Sequence, residues 1–391
     1  MAVSLQVPVI FAFINIVVQL FLWHFYKFIQ MKKSVFFILV ALAEAVLFPW
    51  QGRGQAGFSF TDEDSTVCTE QTVQINNATT GASSWDWNFC YANLTQSPQV
   101  DDLGLANLSG PSFLEVKADY NGIYLFTVNH TNSTLVRASL GDDPANAPTD
   151  ETVVLNNLPG DAEGIAIVRD DALDFHGFIT SGQDNSDMLH VGFGANLNNG
   201  APTTRSLGID SVLNFPQDVE FVQAGGTWYA FVANSSGNTV LRIRFGNGLG
   251  QNPDSVNILT DASLSQPGGL EVVATGGNYY LFVSNYSGPS ISRFDMGSNI
   301  ENPSPSVTVL PQGNLQSPYD LVIEKDCQYF RGYVLNRDED NIIRLDFTQG
   351  ITSAPQQTDL GSMGGSVYHG HGFSGMLSYQ GSRYLFSTNF D

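Results

Sequence analysis

Positive charge is scarce in this chain of 391 residues, which sets 16 Lys and Arg against 38 Asp and Glu for a formal net charge of −22. Residues 1–56 hold Lys27, Lys32, Lys33 and Arg53 against Glu44, which leaves 12 bases and 37 acids for the rest. A chain this poor in basic patches excludes nucleic acid as a partner, because phosphate binding needs clustered Lys and Arg. The acid excess serves solubility, and it also supplies oxygen-rich loops of the kind divalent cations use. Cysteine is nearly absent, with 3 residues, and no Cys/His metal framework, nucleophile elbow or phosphate-binding glycine loop occurs. Cys327, in "EKDCQYF", has no His or second Cys beside it and reads as a buried or loop thiol. Long amphipathic helical patterns are missing after residue 57. Short Val/Tyr/Phe/Leu runs alternate there with Gly/Asn/Asp/Ser/Pro clusters, the pattern of an all-β protein with many tight turns.

Two apolar runs, Val7 to Phe28 and Val35 to Phe48, precede that region. The second follows "MKK" and is followed by Gly54 and Ala56, small residues at −3 and −1 of a cleavage point. It reads as a secretory signal over 31–56, with residues 1–30 an upstream extension. A two-helix membrane anchor is the other reading, since the first run is long enough to span a bilayer. Export permits disulfides, and Cys68 and Cys90 are the pair expected to form one.

The body of the chain repeats. The phrase "PGGLEVVATGGNYYLFVSNYSGPSISRFDMG" from Pro267 recurs from Pro111, Pro216 and Pro318, with a diverged copy from Gly160. An Asn closes the second strand at Asn129, Asn234, Asn285 and Asn336, and a basic residue sits in the third at Arg137, His190, Arg242, Arg293 and Arg344. A period of about 50 residues with three or four strands per unit predicts a β-propeller. Apolar residues on both faces of the second strand fit a strand sandwiched between neighbouring blades. Tyr124, Tyr229, Tyr280 and Tyr384 share one repeat position and read as packing between blades. The recurring Asn reads as a cap on the turn after the second strand.

The last copy supplies two strands, with Asn389 in the Asn position. "SSWDWNFC" (83–90), placed in the same register, aligns Phe89 and Cys90 with Phe245 and Gly246. Residues 85–104 therefore read as the outer strands of a blade whose inner strands lie near Asn389. The expected fold is an all-β, six-bladed propeller over 85–391, closed by N-terminal strands that complete the last blade. Such closure removes the open edge between first and last blades.

The repeat "P-x-G-L…G-N-Y-Y…N…I-S-R" resembles NHL-like and other six-bladed propeller repeats, at a longer period than is usual for NHL. Residues 57–84, leading into "SSWDWNFC", resemble the opening half of PKD-type (Ig-like) modules of bacterial surface proteins, without the usual Gly-Asp-Gly or the second half. These resemblances imply a secreted or cell-surface role. Resemblance to six-bladed lactonase-type propellers further implies calcium in the channel, with Glu163, Asp218 and Asp320 as its ligands.

In propellers the loops after the second strand and before the first share one face. Those loops bring His369, His371, Asp184, Tyr286 and Asp338 forward as candidate binding residues, and the two histidines could alternatively hold a transition metal or move protons. The expected function is a non-enzymatic module that binds a glycan, protein or surface polymer. The alternative is a metal-dependent hydrolase or lyase with its site in the channel. Deleting residues 57–104 is expected to open the ring and leave an insoluble or unfolded protein. A soluble 105–391 fragment with a single cooperative melt would refute closure by the N-terminal segment.

Overall fold

The computed structural model describes residues 98–183, 187–246, 248–326, 329–379 and 382–390, together with two short strands before them. The chain divides into two compact units, Met1–Cys90 and Tyr91–Asp391. In the first, strand β1 (Ala56–Phe58) pairs antiparallel with β2 (Ile75–Asn77). Cys68, Cys90, Cys327 and "SSWDWNFC" lie outside the described residues, as does the expected disulfide.

The second unit is a β-propeller with five four-stranded antiparallel blades, each pairing its strands in chain order. The first blade is β3 (Pro111–Asp119), β4 (Gly122–Asn129), β5 (Thr134–Gly141) and β6 (Asp150–Leu155). The second is β7 (Ala162–Arg169), β8 (Phe175–Ser181), β9 (Leu189–Gly194) and β10 (Thr203–Ser206). The third is β11 (Pro216–Ala224), β12 (Thr227–Asn234), β13 (Thr239–Arg244) and β14 (Ser255–Leu259). The fourth is β15 (Pro267–Thr275), β16 (Asn278–Asn285), β17 (Ser290–Gly297) and β18 (Ser306–Val309). The fifth is β19 (Pro318–Asp326), β20 (Tyr329–Asn336), β21 (Asn341–Phe347) and β22 (Gln356–Asp359).

Six blades were expected; the described residues form five four-stranded blades and a smaller remainder of two two-stranded sheets. That remainder is β23 (Gly370–Phe373) paired with β26 (Ser387–Asn389), and the hairpin β24 (Leu377–Tyr379)–β25 (Ser382–Tyr384). Strand β23 packs between β19 and β3, so the inner strands run round the axis without a gap. Among the described residues no N-terminal strand pairs with this remainder. Leu103, Leu105, Leu377 and Phe386 each pack against the buried cluster of Leu114, Val116, Ile123, Leu125, Ala138 and Leu140.

Second strands are buried on both faces, as the sequence led one to expect; every residue of Phe175–Ser181 is buried. The apolar layers between blades are built from rings of adjoining sheets, with Phe126 and Phe193 at 5.2 Å and Phe282 and Phe347 at 5.9 Å. Gly225–Gly226 and Gly276–Gly277 turn the first strand into the second with positive φ at both positions. Two-residue hairpins of that handedness match the twist of the strands they join and select glycine.

Two side chains of the repeat hold blades in place. The recurring Asn does more than cap a turn: Asn129 accepts from Ser109 N–H and donates to Asn107 C=O, and Asn234 repeats this with Asn214 and Val212. It thereby ties each blade's entry loop to its second turn, and Asn389 does the same with Tyr368 and Ser366. The repeat Arg reaches into the next blade. Arg137 donates to Leu197 and Asn199 carbonyls, Arg242 to Ile300, Glu301 and Asn302, and Arg293 to Ile351. Where the second blade has His190 instead, Arg205 on the facing strand donates to Leu249 and Gln251 carbonyls.

Adjacent inner strands are joined by an alternating seam. Three have Gly at the third position of the repeat (Gly164, Gly269, Gly372), and a hydroxyl on the paired second strand accepts each Gly N–H: Thr180 at 2.7 Å, Ser284 at 2.8 Å and Thr388 at 3.1 Å. The same hydroxyls donate to Gln217, Tyr319 and Ser112 carbonyls of the following inner strand. The intervening strands carry Phe113, Asp218 and Asp320 there, opposite apolar Val128, Ala233 and Leu335. Asp218 accepts from Leu270 N–H at 2.7 Å, and Asp320 from Phe373 N–H at 2.6 Å, each in the next inner strand. Glycine is required by contact: a Cβ on Gly269 would clash with Asp320, and one on Gly372 would lie 2.7 Å from Phe113 Cα. Asp320→Ala strips the acceptor from Leu321 and Phe373 N–H and should cost about 2 kcal/mol or more of stability. Asp320→Asn, which keeps one acceptor, should cost less; denaturant unfolding of both variants measures the difference.

Candidate functional site at the channel mouth

The second residue of each inner strand faces the mouth of the channel, and this column varies most: Ser112, Glu163, Gln217, Gly268, Tyr319 and His371. Entry loops and second turns lie on this face. Gly268 leaves room for the Tyr319 backbone, and the Tyr319 hydroxyl donates to Gln217 Oε1. The Tyr319 and His371 rings lie 4.4 Å apart. His371 Nε2 is 3.0 Å from Glu163 Oε2, and His130 Nδ1, from the first blade's turn, is 2.9 Å from Glu163 Oε1, a charge-pair contact without hydrogen-bond alignment. Two polar groups therefore meet at the axis, Tyr319 with Gln217 and Glu163 with His371 and His130, joined by the contact of the Tyr319 and His371 rings.

Their protonation states follow from burial and pairing. Burial pushes the Glu163 carboxyl up, but the His130 and His371 contacts outweigh it and hold the group below its ordinary value. Glu163 raises the His130 imidazole against the opposing effect of burial. Burial depresses His371 despite its contact with Glu163. A neutral His371 donates Nε2–H to the carboxylate, which assigns the tautomer and leaves Nδ1 as a bare acceptor. That nitrogen is buried without a hydrogen-bond partner.

Aromatic rings close over these groups. Phe390 stacks on His371 at 4.8 Å and meets His130 edge-on at 5.3 Å, while Phe113 meets His371 at 5.5 Å. Tyr286 packs on Tyr319 at 5.2 Å, and its hydroxyl reaches Asp338 at 3.3 Å. The Arg337 guanidinium sits 4.7 Å from the Tyr319 ring, 5.3 Å from Phe390 and 5.8 Å from Tyr286. Tyr286, Arg337, Phe390 and His130 keep part of their surface in water, over a buried base of Glu163, Tyr319 and His371.

Beneath this plug the channel widens into a cavity of about 250 Å³ lined by Glu115, Asp218, Glu220, Glu271, Asp320 and Glu324. Lys117 is the cation in the lining and pairs with Glu115 at 3.1 Å. Burial, against two backbone N–H bonds, pushes Asp218 up to about 7. Burial and the Asp218 charge push Glu220 up to about 8, and burial with neighbouring carboxylates also raises Glu271 and Asp320.

The sequence-level candidates divide accordingly. His371, Tyr286 and Asp338 come together at the mouth with Glu163. His369 stacks instead on Tyr368 at 4.4 Å, and its peptide N–H donates to Asp340. Asp184 lies outside the described residues. The expected calcium set separates: Glu163 belongs with the two imidazoles, while both oxygens of Asp218 and of Asp320 accept backbone N–H groups. Among the described residues, no three His, Cys, Asp or Glu side chains are grouped to hold a metal ion. His130, Gln217, Tyr319, Arg337 and Phe390 were not singled out from sequence. For Gln217, Tyr319 and His371, the available signal was their place in the variable second column.

No protein-family profile and no curated protein sequence matches the chain. Among solved structures it is similar to the major allergen Mala s 1 of Malassezia sympodialis, at 10% identity and TM-score 0.49 over 72% of this chain and 87% of that one. It is similar to a structure from a nidogen/laminin complex, at 17% identity and TM-score 0.44 over 63% and 79%. It is also similar to an exo-β-1,3-galactanase of Phanerochaete chrysosporium with β-1,3-galactotriose, at 12% identity and TM-score 0.46 over 69% and 66%.

The channel acids give a signed prediction. A carboxyl raised in the folded state binds its proton more tightly there than in the unfolded chain, so stability is lost as pH climbs from the unfolded value toward the folded one. For Asp218 that window runs from 3.8 to about 7, and for Glu220 from 4.5 to about 8. The thermal midpoint should therefore be higher near about pH 5.5 than near about pH 8. Glu220→Gln and Glu271→Gln should raise the midpoint at the higher pH and flatten the profile. A midpoint that climbs with pH would contradict the assignment.

Proposed function

We propose that this propeller is an exported binding module that takes a glycan chain across the mouth face. The observation that carries the reading is the plug. Side chains on the axis are locked to one another, while Tyr286, Phe390, Arg337 and His130 form its partly exposed surface. Aromatic rings give flat apolar area for the C–H face of a sugar, and Asp338 beside Tyr286 and Asp161 beside His130 supply acceptors for its hydroxyls. The alternative of a metal-dependent hydrolase or lyase in the channel draws less support, because Asp218 and Asp320 spend both oxygens on backbone amides.

The same reading takes 31–56 as the export signal and 85–104 as the outer strands of a sixth blade. The register of "SSWDWNFC" with the third strand of the repeat supports this completion, as does the packing of Leu103, Leu105 and Leu377 against one shared cluster. The PKD-like stretch and the NHL-like repeat stand as resemblances consistent with a surface role.

Binding of the purified protein to a panel of immobilised glycans tests the function. A positive class should lose about tenfold in affinity with Tyr286→Ala or Phe390→Ala, the loss typical of a contact residue at the centre of an interface. Retention of binding in both variants would move the site off the mouth, and silence across the panel would count against glycan recognition.

A further inference from the structure

We infer that Arg337 is the anchor for an acidic ligand group, so that the mouth recognises a saccharide bearing carboxylates rather than a neutral one. This rests on the glycan-binding reading above and adds the chemistry of the ligand. The first observation is that the Arg337 guanidinium is unspent. Among the described residues it has no ion pair and no hydrogen-bond acceptor, only the faces of Tyr319, Tyr286 and Phe390. Other inward-lying arginines are committed: Arg137, Arg242 and Arg293 to carbonyls, Arg331 to Asp326 and Asp346.

The second observation is that acids on the same turn are already engaged elsewhere. Asp338 accepts from the Tyr286 hydroxyl, and Glu339 from the Ser317 hydroxyl at 2.6 Å. In a chain with 38 acids and 16 Lys and Arg, an unpaired guanidinium on the axis is a departure from the surrounding charge pattern. The third observation lies beneath it: His371 is 2% exposed, and its Nδ1 has no partner. A ligand hydroxyl or a bridging water can satisfy that nitrogen when the Phe390 ring shifts. A planar guanidinium matches a carboxylate bidentately, and ring stacking holds the fork in place.

The test compares oligogalacturonate with its methyl-esterified form by calorimetry, using the full chain, in low and high salt. The acid form should bind at least about tenfold more tightly and lose that advantage as salt screens the pair. Arg337→Gln should bring the acid form down to the affinity of the ester, with the thermal midpoint of the protein little changed. Arg337→Lys, which keeps the charge and loses the fork, should fall between and guards against a folding defect in the first variant. Equal binding of acid and ester, or an Arg337→Gln protein that still prefers the acid, would overturn the anchor and leave the mouth as a glycan site. Binding of neither form, with neutral glycans still captured, would overturn the anchor as well. Loss of all glycan binding would sink the site reading with it.

Discussion

Everything in the ring hangs on how one inner strand is tied to the next. Inner strands of neighbouring blades do not share a β-ladder, so their backbone groups near the axis need other partners, and a buried amide left without one costs about 1–3 kcal/mol. Two devices alternate to meet this need. A Thr or Ser hydroxyl accepts a glycine N–H and donates to the next strand's carbonyl, or an Asp accepts the next strand's N–H. At the first strand Phe113 replaces the Asp, and Ser112 donates to Glu163 C=O at 2.6 Å. Alternation of two devices closes on itself only with an even number of inner strands. Thr388 donating to Ser112, across the join of β23 and β3, is where it closes.

That seam shapes the site. Asp218 and Asp320 look from their sequence positions like carboxylates free to converge on the axis, yet their oxygens are occupied. Glu220 and Glu271 are left one layer lower, where burial and neighbouring carboxylates raise their affinity for protons. The polar chemistry at the surface is pushed up into the mouth. There Glu163 lies between two imidazoles, and an arginine rests on three rings.

Much of this was legible along the chain. The repeat register placed the five complete blades, the doubly buried second strands, the structural Asn and the Arg that became the staple between blades. It also placed Asn389 in the Asn position, where it makes the bonds of its counterparts. His190 marked a break in the Arg column, but its replacement by Arg205 on the facing strand was not legible, since cross-strand pairing is set by register rather than by spacing. The Gly-and-hydroxyl seam escaped for a similar reason. Gly164 and Thr180 are 16 residues apart, and the carbonyl to which Thr180 donates, that of Gln217, belongs to another blade.

The sequence by itself determined the local units. Hydrophobic alternation sets each strand, glycine pairs set the hairpins, and a constant period forces identical units to stack and bury their faces against one another. Only the tertiary structure decided which residues meet at the axis. His130, Glu163, Tyr319, Arg337, His371 and Phe390 come from separate parts of the chain, and the circular arrangement of blades brings them within contact distance. Charge and hydrogen-bonding capacity could be counted beforehand for each side chain. Whether a carboxylate is spent on a backbone amide, shared between imidazoles or crowded by other acids depends on which neighbour the ring places beside it.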